Sequence, residues 1–253
     1  GGRPVSDDAA RTAMAQLWHV DELPAEPGRD TTGILAAAAT GELQALVIGG
    51  VDLDDLPDPT AARAALEAAP FVVSLEMRHS AVTDRADVVF PVAPVVEKSG
   101  SFVNWEGRIR LFEPSLHTNA LSDFRVLGFL ADELGIDLGT SSAAAVAEDR
   151  ARVGLWSGMR HRVERSGGAA AEPAAGQAVL AGWQTLLDDG RMQDGEPHLA
   201  GTARPPVARL APSTAAEAGV GSGDLLRVST ADGAIVLPVE ITDMPDRVVW
   251  LPL

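Results

Sequence analysis

The chain has 253 residues, enough for one large domain or two modest ones, with a core that needs no disulfide or metal to hold it. Acidic side chains outnumber basic ones 36 to 20, and the resulting charge of −16 argues against nucleic acid or an anionic membrane surface as partner. Cysteine is absent, which removes disulfides, iron–sulfur ligation, thiolate zinc sites and a cysteine nucleophile from consideration.

Residues 1–30 read as irregular around Pro4, Pro24 and Pro27, with a short helix over Ala9–Leu17. Asp30 or Thr31 can cap a helix through Ile34–Ala39 that stops at Gly41. Leu43–Ile48 reads as a buried strand closed by Gly49 and Gly50. Asp58 and Pro59 open a helix over Thr60–Ala69, since Asp caps and Pro suits the first turn. Phe71–Leu75 and Asp87–Pro91 follow as two further strands. The strand–helix–strand spacing predicts a parallel α/β sheet.

After Pro94 the chain turns polar and glycine-marked through Glu97–Arg110. A helix is expected over Asp123–Leu134, with Leu127, Leu130 and Leu134 on one face, and another over Ala143–Trp156. Residues 166–178 read as a linker, and Val179–Leu187 as a helix with Leu180, Trp183 and Leu187 on one stripe. From about Ala203 the texture becomes β. Val207–Leu210 is strand-like, and Thr214–Glu217 fits a capping box for a short helix ending at Gly219. Leu225–Thr230 and Ala234–Ile241 form a hairpin across Asp232–Gly233, and Arg247–Leu251 is a last strand. The expected organisation is an α/β domain over 1–165, a linker and helix over 166–202, and an incomplete β domain over 203–253. The missing initiator Met and the apolar end at Val248–Leu253 suggest cuts through a longer polypeptide.

Most candidate sites reduce to structural readings. Asp52–Asp55 lacks the ligand spacing of a calcium loop and reads as a solvated acidic turn. Gly49–Gly50 lacks a Gly-x-Gly-x-x-Gly pattern and reads as a tight turn. The five histidines have no metal-ligand spacing, and His79–Ser80 lacks a nucleophile elbow. The five tryptophans are expected in the core. Glu97–Arg110 is different. Lys98, Asn104, Glu106, Gly107 and Arg108 sit in a permissive loop beyond a strand end, which suits a ligand cradle and a tight ion-paired turn equally.

This loop carries a resemblance. Ala86–Pro91 (Ala-Asp-Val-Val-Phe-Pro) followed by Glu97-Lys98-x-Gly100-x-Phe102-x-Asn104-x-Glu106-Gly107-Arg108 resembles the ADVVLP…EKxGTFxNxEGR signature of the molybdopterin oxidoreductase superfamily. Leu210–Val228 is similar to that superfamily's C-terminal dinucleotide-binding barrel. Gly41–Asp52, Asn104–Arg108 and Gly201–Arg204 resemble, within it, the actinobacterial form of the large iron–sulfur subunit of NADH-quinone oxidoreductase, respiratory complex I.

The resemblance implies a parallel-sheet α/β domain followed by a truncated double-psi-type β-barrel. It implies a structural, non-catalytic segment of a subunit whose parent complex moves electrons from NADH to quinone. The iron–sulfur clusters would lie in an N-terminal region of the parent, and Lys98, Asn104, Glu106, Gly107 and Arg108 would be a vestigial molybdopterin loop without cofactor or metal. Other peripheral-arm subunits would be the partners, on the cytoplasmic side of the bacterial inner membrane, with no direct membrane insertion. Two competing readings are part of a working molybdopterin enzyme, such as a formate or nitrate oxidoreductase, and an acidic interaction module.

Overall fold

The computed structural model describes residues 3–139, 141–158, 172–187, 190, 193–231 and 233–252. The chain divides into two compact units, Gly1–Arg162 and Val163–Leu253.

In the first unit, β1 (Leu46–Gly49), β2 (Val72–Glu76) and β3 (Val88–Pro91) form a parallel sheet in that order. Parallel strands need a crossover between them, and here short helices supply it. α3 (Pro59–Ala68) links β1 to β2, its first turn opened by Asp58, whose carboxylate accepts the Ala61 N–H at 2.8 Å. α4 (Ala81–Arg85) links β2 to β3 and begins with a capping box between Ser80 and Thr83. The loop residues read as structural are so used. Ser80 caps, and Asp52 caps the 3-10 turn Leu53–Asp55, where Asp54 pairs with Arg63 at 2.7 Å.

One face of the sheet packs Leu46 and Val72 with Ala62, Ala65 and Leu66 of α3, Ala38 of α2 (Thr31–Ala39) and Val82 of α4. The other packs Val73 and Leu75 with Val126 and Leu130 of α5 (Asp123–Glu133). α1 (Asp8–Trp18) and α6 (Ala143–Val153) complete the helices of this unit among the described residues. The apolar face read on α5 is not the packed one: Val126 and Ala131 are buried, Leu130 half-buried, and Leu127 and Leu134 exposed, the latter to 77%. Leu134 lies past the last helical turn, where the chain leaves through Gly135 at φ +75°, so its helical spacing no longer places it on the sheet. The other predicted helix ends at Val153, before Trp156, where Gly154 takes φ +63°.

The second unit holds a five-stranded sheet in the order β6 (Val179–Trp183), β10 (Val248–Pro252), β7 (Ala208–Leu210), β9 (Ala234–Ile241) and β8 (Leu225–Ser229). Its core is Leu210, Ala215, Val239 and Val249. The expected helix over Val179–Leu187 is therefore wrong. Val179–Trp183 pairs in parallel with all five residues of β10, and Trp183 is 76% exposed. Three apolar points at helical spacing cannot outweigh a continuous strand ladder, and Gly182 weakens a helix at that place. Part of the segment read as linker and helix thus belongs to the sheet, while residues 166–171 of that linker lie outside the described residues.

The capping box at Thr214 is also corrected. α7 (Pro212–Ala218) starts after Ala211 with Pro212 in its first turn, and the Thr214 hydroxyl instead accepts the Arg247 N–H at 2.8 Å. Gly219 ends α7 at φ +68°, as read. None of the five tryptophans is fully buried. Trp18, Trp105 and Trp183 are exposed, and Trp156 and Trp250 are half-buried, so the expectation that they build the core fails. Alanine, valine and leucine fill the cores instead.

Buried Val126 and exposed Leu134 give a direct test. Val126→Ala should cost about 1–3 kcal/mol through lost burial and a residual cavity, and Leu134→Ala less than about 0.5 kcal/mol, by chemical denaturation. Equal losses would mean that the stripe read from spacing is the packed face.

Candidate functional site

The segment with the most concentrated polar chemistry is a β-hairpin. β4 (Gly100–Val103) pairs antiparallel with β5 (Ile109–Phe112), and Asn104–Arg108 forms the turn. The sequence placed this stretch in a loop. The hairpin signal was Ile109–Phe112, a four-residue apolar run around one Arg.

Asn104 organises the turn. Its side-chain carbonyl accepts the N–H of Glu106 at 3.1 Å and of Arg108 at 2.8 Å. Its backbone carbonyl accepts the Gly107 N–H at 2.9 Å, and its own N–H donates to the Arg108 carbonyl at 3.1 Å. Gly107 stands at φ +81°, a region that side chains with a Cβ resist. Arg108 Nε lies 3.0 Å from a Glu106 carboxylate oxygen. Trp105, at the tip, is 94% exposed.

Lys98 is elsewhere. It lies six residues before Asn104 along an extended strand, about 20 Å at 3.3 Å per residue. Its ammonium sits 2.6 Å from the Asp123 carboxylate at the start of α5. The structure therefore brings Asn104, Glu106, Gly107 and Arg108 together and leaves Lys98 at the hairpin's base.

Two further motif residues have structural work that the sequence did not reveal. A Cβ on Gly100 would lie 2.7 Å from the Phe112 ring, so glycine lets that ring lie across β4. Phe112 then stacks on Phe102 with centroids 4.9 Å apart. Asp87, the acid of the Ala-Asp-Val-Val-Phe-Pro run, accepts the Val72 N–H at 2.7 Å while its own N–H donates to the Val72 carbonyl at 2.9 Å. It fixes the start of β3 against the start of β2.

A pterin nucleotide, which the resemblance implies, needs unpaired donors and positive charge for its pyrophosphate. Of the five residues, both cations, Lys98 and Arg108, face carboxylates, and the Asn104 side-chain carbonyl is filled by two backbone donors. Paired in this way, the five residues present no open cation to such a group. Among the described residues, no three His, Asp or Glu side chains are grouped so that they could hold a metal ion.

Because nothing crowds Gly107, its substitution probes backbone strain alone. Gly107→Val should cost about 1–3 kcal/mol. Arg108→Ala breaks only a solvent-exposed pair, worth about 0–1 kcal/mol. Thermal melts of the two variants check this ranking, and equal losses would contradict it.

Comparison with known proteins agrees with the motif. The Molybdopterin oxidoreductase family matches residues 4–132, and the Molydopterin dinucleotide binding domain matches residues 190–253. The whole chain is 56% identical, over 260 aligned residues, to the G subunit of NADH-quinone oxidoreductase from Mycobacterium tuberculosis, and 52% identical to its counterpart from Streptomyces coelicolor. It covers 32% and 31% of those proteins, so it spans about a third of the length of the curated relatives it matches. Among solved structures, acetylene hydratase from Pelobacter acetylenicus shares the fold, with a TM-score of 0.54 at 17% identity over 87% of this chain and 39% of that one. With half of its residues matched by the family, with the hairpin signature in place and with similarity to these NADH-quinone oxidoreductase proteins along its full length, this chain belongs to the molybdopterin oxidoreductase family.

Proposed function

We propose that this chain is a structural segment of the large subunit of an NADH-quinone oxidoreductase, a molybdopterin-enzyme-like body that no longer holds a pterin. The observation that carries this reading is 56% identity along the entire chain to the mycobacterial NADH-quinone oxidoreductase protein. The site chemistry supports it. A cradle for an anionic nucleotide would keep its cations and amide groups open, whereas Lys98, Asn104, Glu106 and Arg108 spend theirs within the chain. Those contacts give the residues a purely local role. Asn104 and Gly107 form the turn, Glu106 and Arg108 brace it, and Lys98 and Asp123 tie the hairpin base to α5.

On this reading the parent passes electrons from NADH to quinone through iron–sulfur clusters, which this stretch, lacking cysteine, does not ligate. Its partners are other peripheral-arm subunits of a membrane-attached complex, on the cytoplasmic side. No helix among the described residues is long and apolar enough to cross a membrane, which fits a peripheral position. The alternative of a working formate or nitrate oxidoreductase asks this loop to bind a cofactor, and its internal pairing disfavours that.

The double variant Asn104→Ala/Arg108→Ala in the assembled parent complex tests the reading. NADH-to-quinone turnover should stay within about twofold of wild type while the melting temperature of the complex falls. A loss of tenfold or more in turnover, with the complex assembled and its melting unchanged, would show that the loop serves the chemistry.

A further inference from the structure

Among the described residues, β4 and β5 form a two-stranded sheet without a third strand. The β4 side is braced by α6, where Arg150 Nη1 donates to the Ser101 hydroxyl at 2.7 Å, and Gly100 and Ser101 are half-buried. The β5 side faces water. Ile109, Arg110 and Leu111 are all exposed, Leu111 to 69%.

The ladder between the two strands determines which backbone groups lie on that open edge. Antiparallel partners alternate between pairs that exchange both hydrogen bonds and pairs that exchange none. The Asn104 N–H donates to the Arg108 carbonyl at 3.1 Å. Counting from this pair by twos, Phe102 bonds with Arg110 and Gly100 with Phe112. Ile109 and Leu111 therefore turn their N–H and C=O groups away from β4, about 6.8 Å apart, the spacing that a further strand requires. Arg110 Nη1 donates to the Ile109 carbonyl on this edge at 3.3 Å, and no carboxylate among the described residues is paired with it. An open, apolar edge of this kind is a template for another strand.

We propose that β5 is a self-association edge, through which two copies of this chain pair β5 to β5, antiparallel, about a two-fold axis at Leu111. A two-fold contact uses the same patch on both copies, and outward-facing residues must meet outward-facing residues. Three axes near the strand centre satisfy this. An axis at Arg110 sets two guanidinium groups opposite each other, which is unfavourable. An axis at Phe112 pushes the overlap past the end of β5, toward Pro114. An axis at Leu111 sets the two Leu111 residues against each other and each Arg110 against the Phe112 ring of the other copy, a cation–π contact. Charge also selects this edge. The chain carries −16, so two copies repel over most of their surface, whereas residues 100–112 hold two arginines and one glutamate. A hairpin edge buries less than the about 800 Å² per partner of a standard interface, so the dimer is weak, with a dissociation constant of about 10–500 µM. The inference stands on the hairpin geometry and not on the functional reading.

Sedimentation equilibrium of the 253-residue chain tests it. The average mass should rise from monomer toward dimer between about 10 µM and about 1 mM. The rise should move to lower concentration when salt is raised from about 0.05 M to about 0.5 M, because salt screens the repulsion between the acidic chains. The chain has no cysteine, so a single introduced thiol reports the register. With the axis at Leu111 the two Leu111 Cα atoms stand about 5.5 Å apart, within disulfide reach, while the two Ile109 residues are offset by about 14 Å along the strands. In diamide, Leu111→Cys should form a disulfide dimer at least tenfold faster than Ile109→Cys. Leu111→Pro removes an N–H that β4 does not use, and Leu111→Lys sets like charges on the axis. Both should abolish the dimer, and Leu111→Lys should leave the melting temperature of the monomer within about 2 °C of wild type. A chain that stays monomeric at about 1 mM in high salt would overturn the proposal, as would Ile109→Cys cross-linking as fast as Leu111→Cys. A dimer that survives Leu111→Pro and Leu111→Lys but is lost on Trp105→Ser would also overturn it, by placing the contact at the hairpin tip. None of these outcomes depends on pterin content or turnover, so a failure here stays separate from a failure of the functional reading.

Discussion

The first unit depends on β2 being buried on both faces. A parallel strand has neighbours on both edges and crossover helices above and below, so its residues cannot alternate between core and water. Val72, Val73, Ser74 and Leu75 are all buried, and each neighbouring element is placed by its contact with them. α3 and α4 cover one face and α5 the other. Asp87 then sets the height of β3 by bonding both backbone groups of Val72. The acid of the Ala-Asp-Val-Val-Phe-Pro motif is thus the register pin of a sheet.

The same logic extends to the hairpin. The signature residues look like a ligand set because they are polar, charged and glycine-rich in a short stretch. The structure gives each a mechanical reason. Gly100 makes room for the Phe112 ring, Phe102 stacks on it, Asn104 gathers two amides, Gly107 takes the positive φ, and Glu106 opposes Arg108. On the proposed reading, a signature shared with cofactor enzymes persists here as a folding unit. Between a cradle and an ion-paired turn, which the residues alone left open, the geometry favours the turn.

Much of the first unit was legible in the sequence because its signals are local. Asp30 and Asp58 cap the helices they were expected to cap, and the three parallel strands lie within three residues of their predicted bounds. What failed was set by distant partners. β6 is a strand because β10 lies beside it, more than sixty residues later. The Thr214 hydroxyl accepts the Arg247 N–H rather than one from its own helix, and Lys98 finds Asp123 across 25 residues. Trp105 stays in water because a two-stranded hairpin has no second layer at its tip. Helical spacing misled at Leu134 and Trp183 for one reason: three apolar points fit a helix, a strand and a chain end alike.

The central claim is that a fold built for a pterin nucleotide is kept here as a scaffold, with its signature loop paired to itself. The most direct measurement is molybdenum and pterin analysis of the purified, NADH-active parent complex, by elemental analysis and by fluorescence of oxidised pterin. The account predicts iron in cluster stoichiometry with molybdenum and pterin each far below one per complex. One molybdenum and at least one pterin per complex would contradict it.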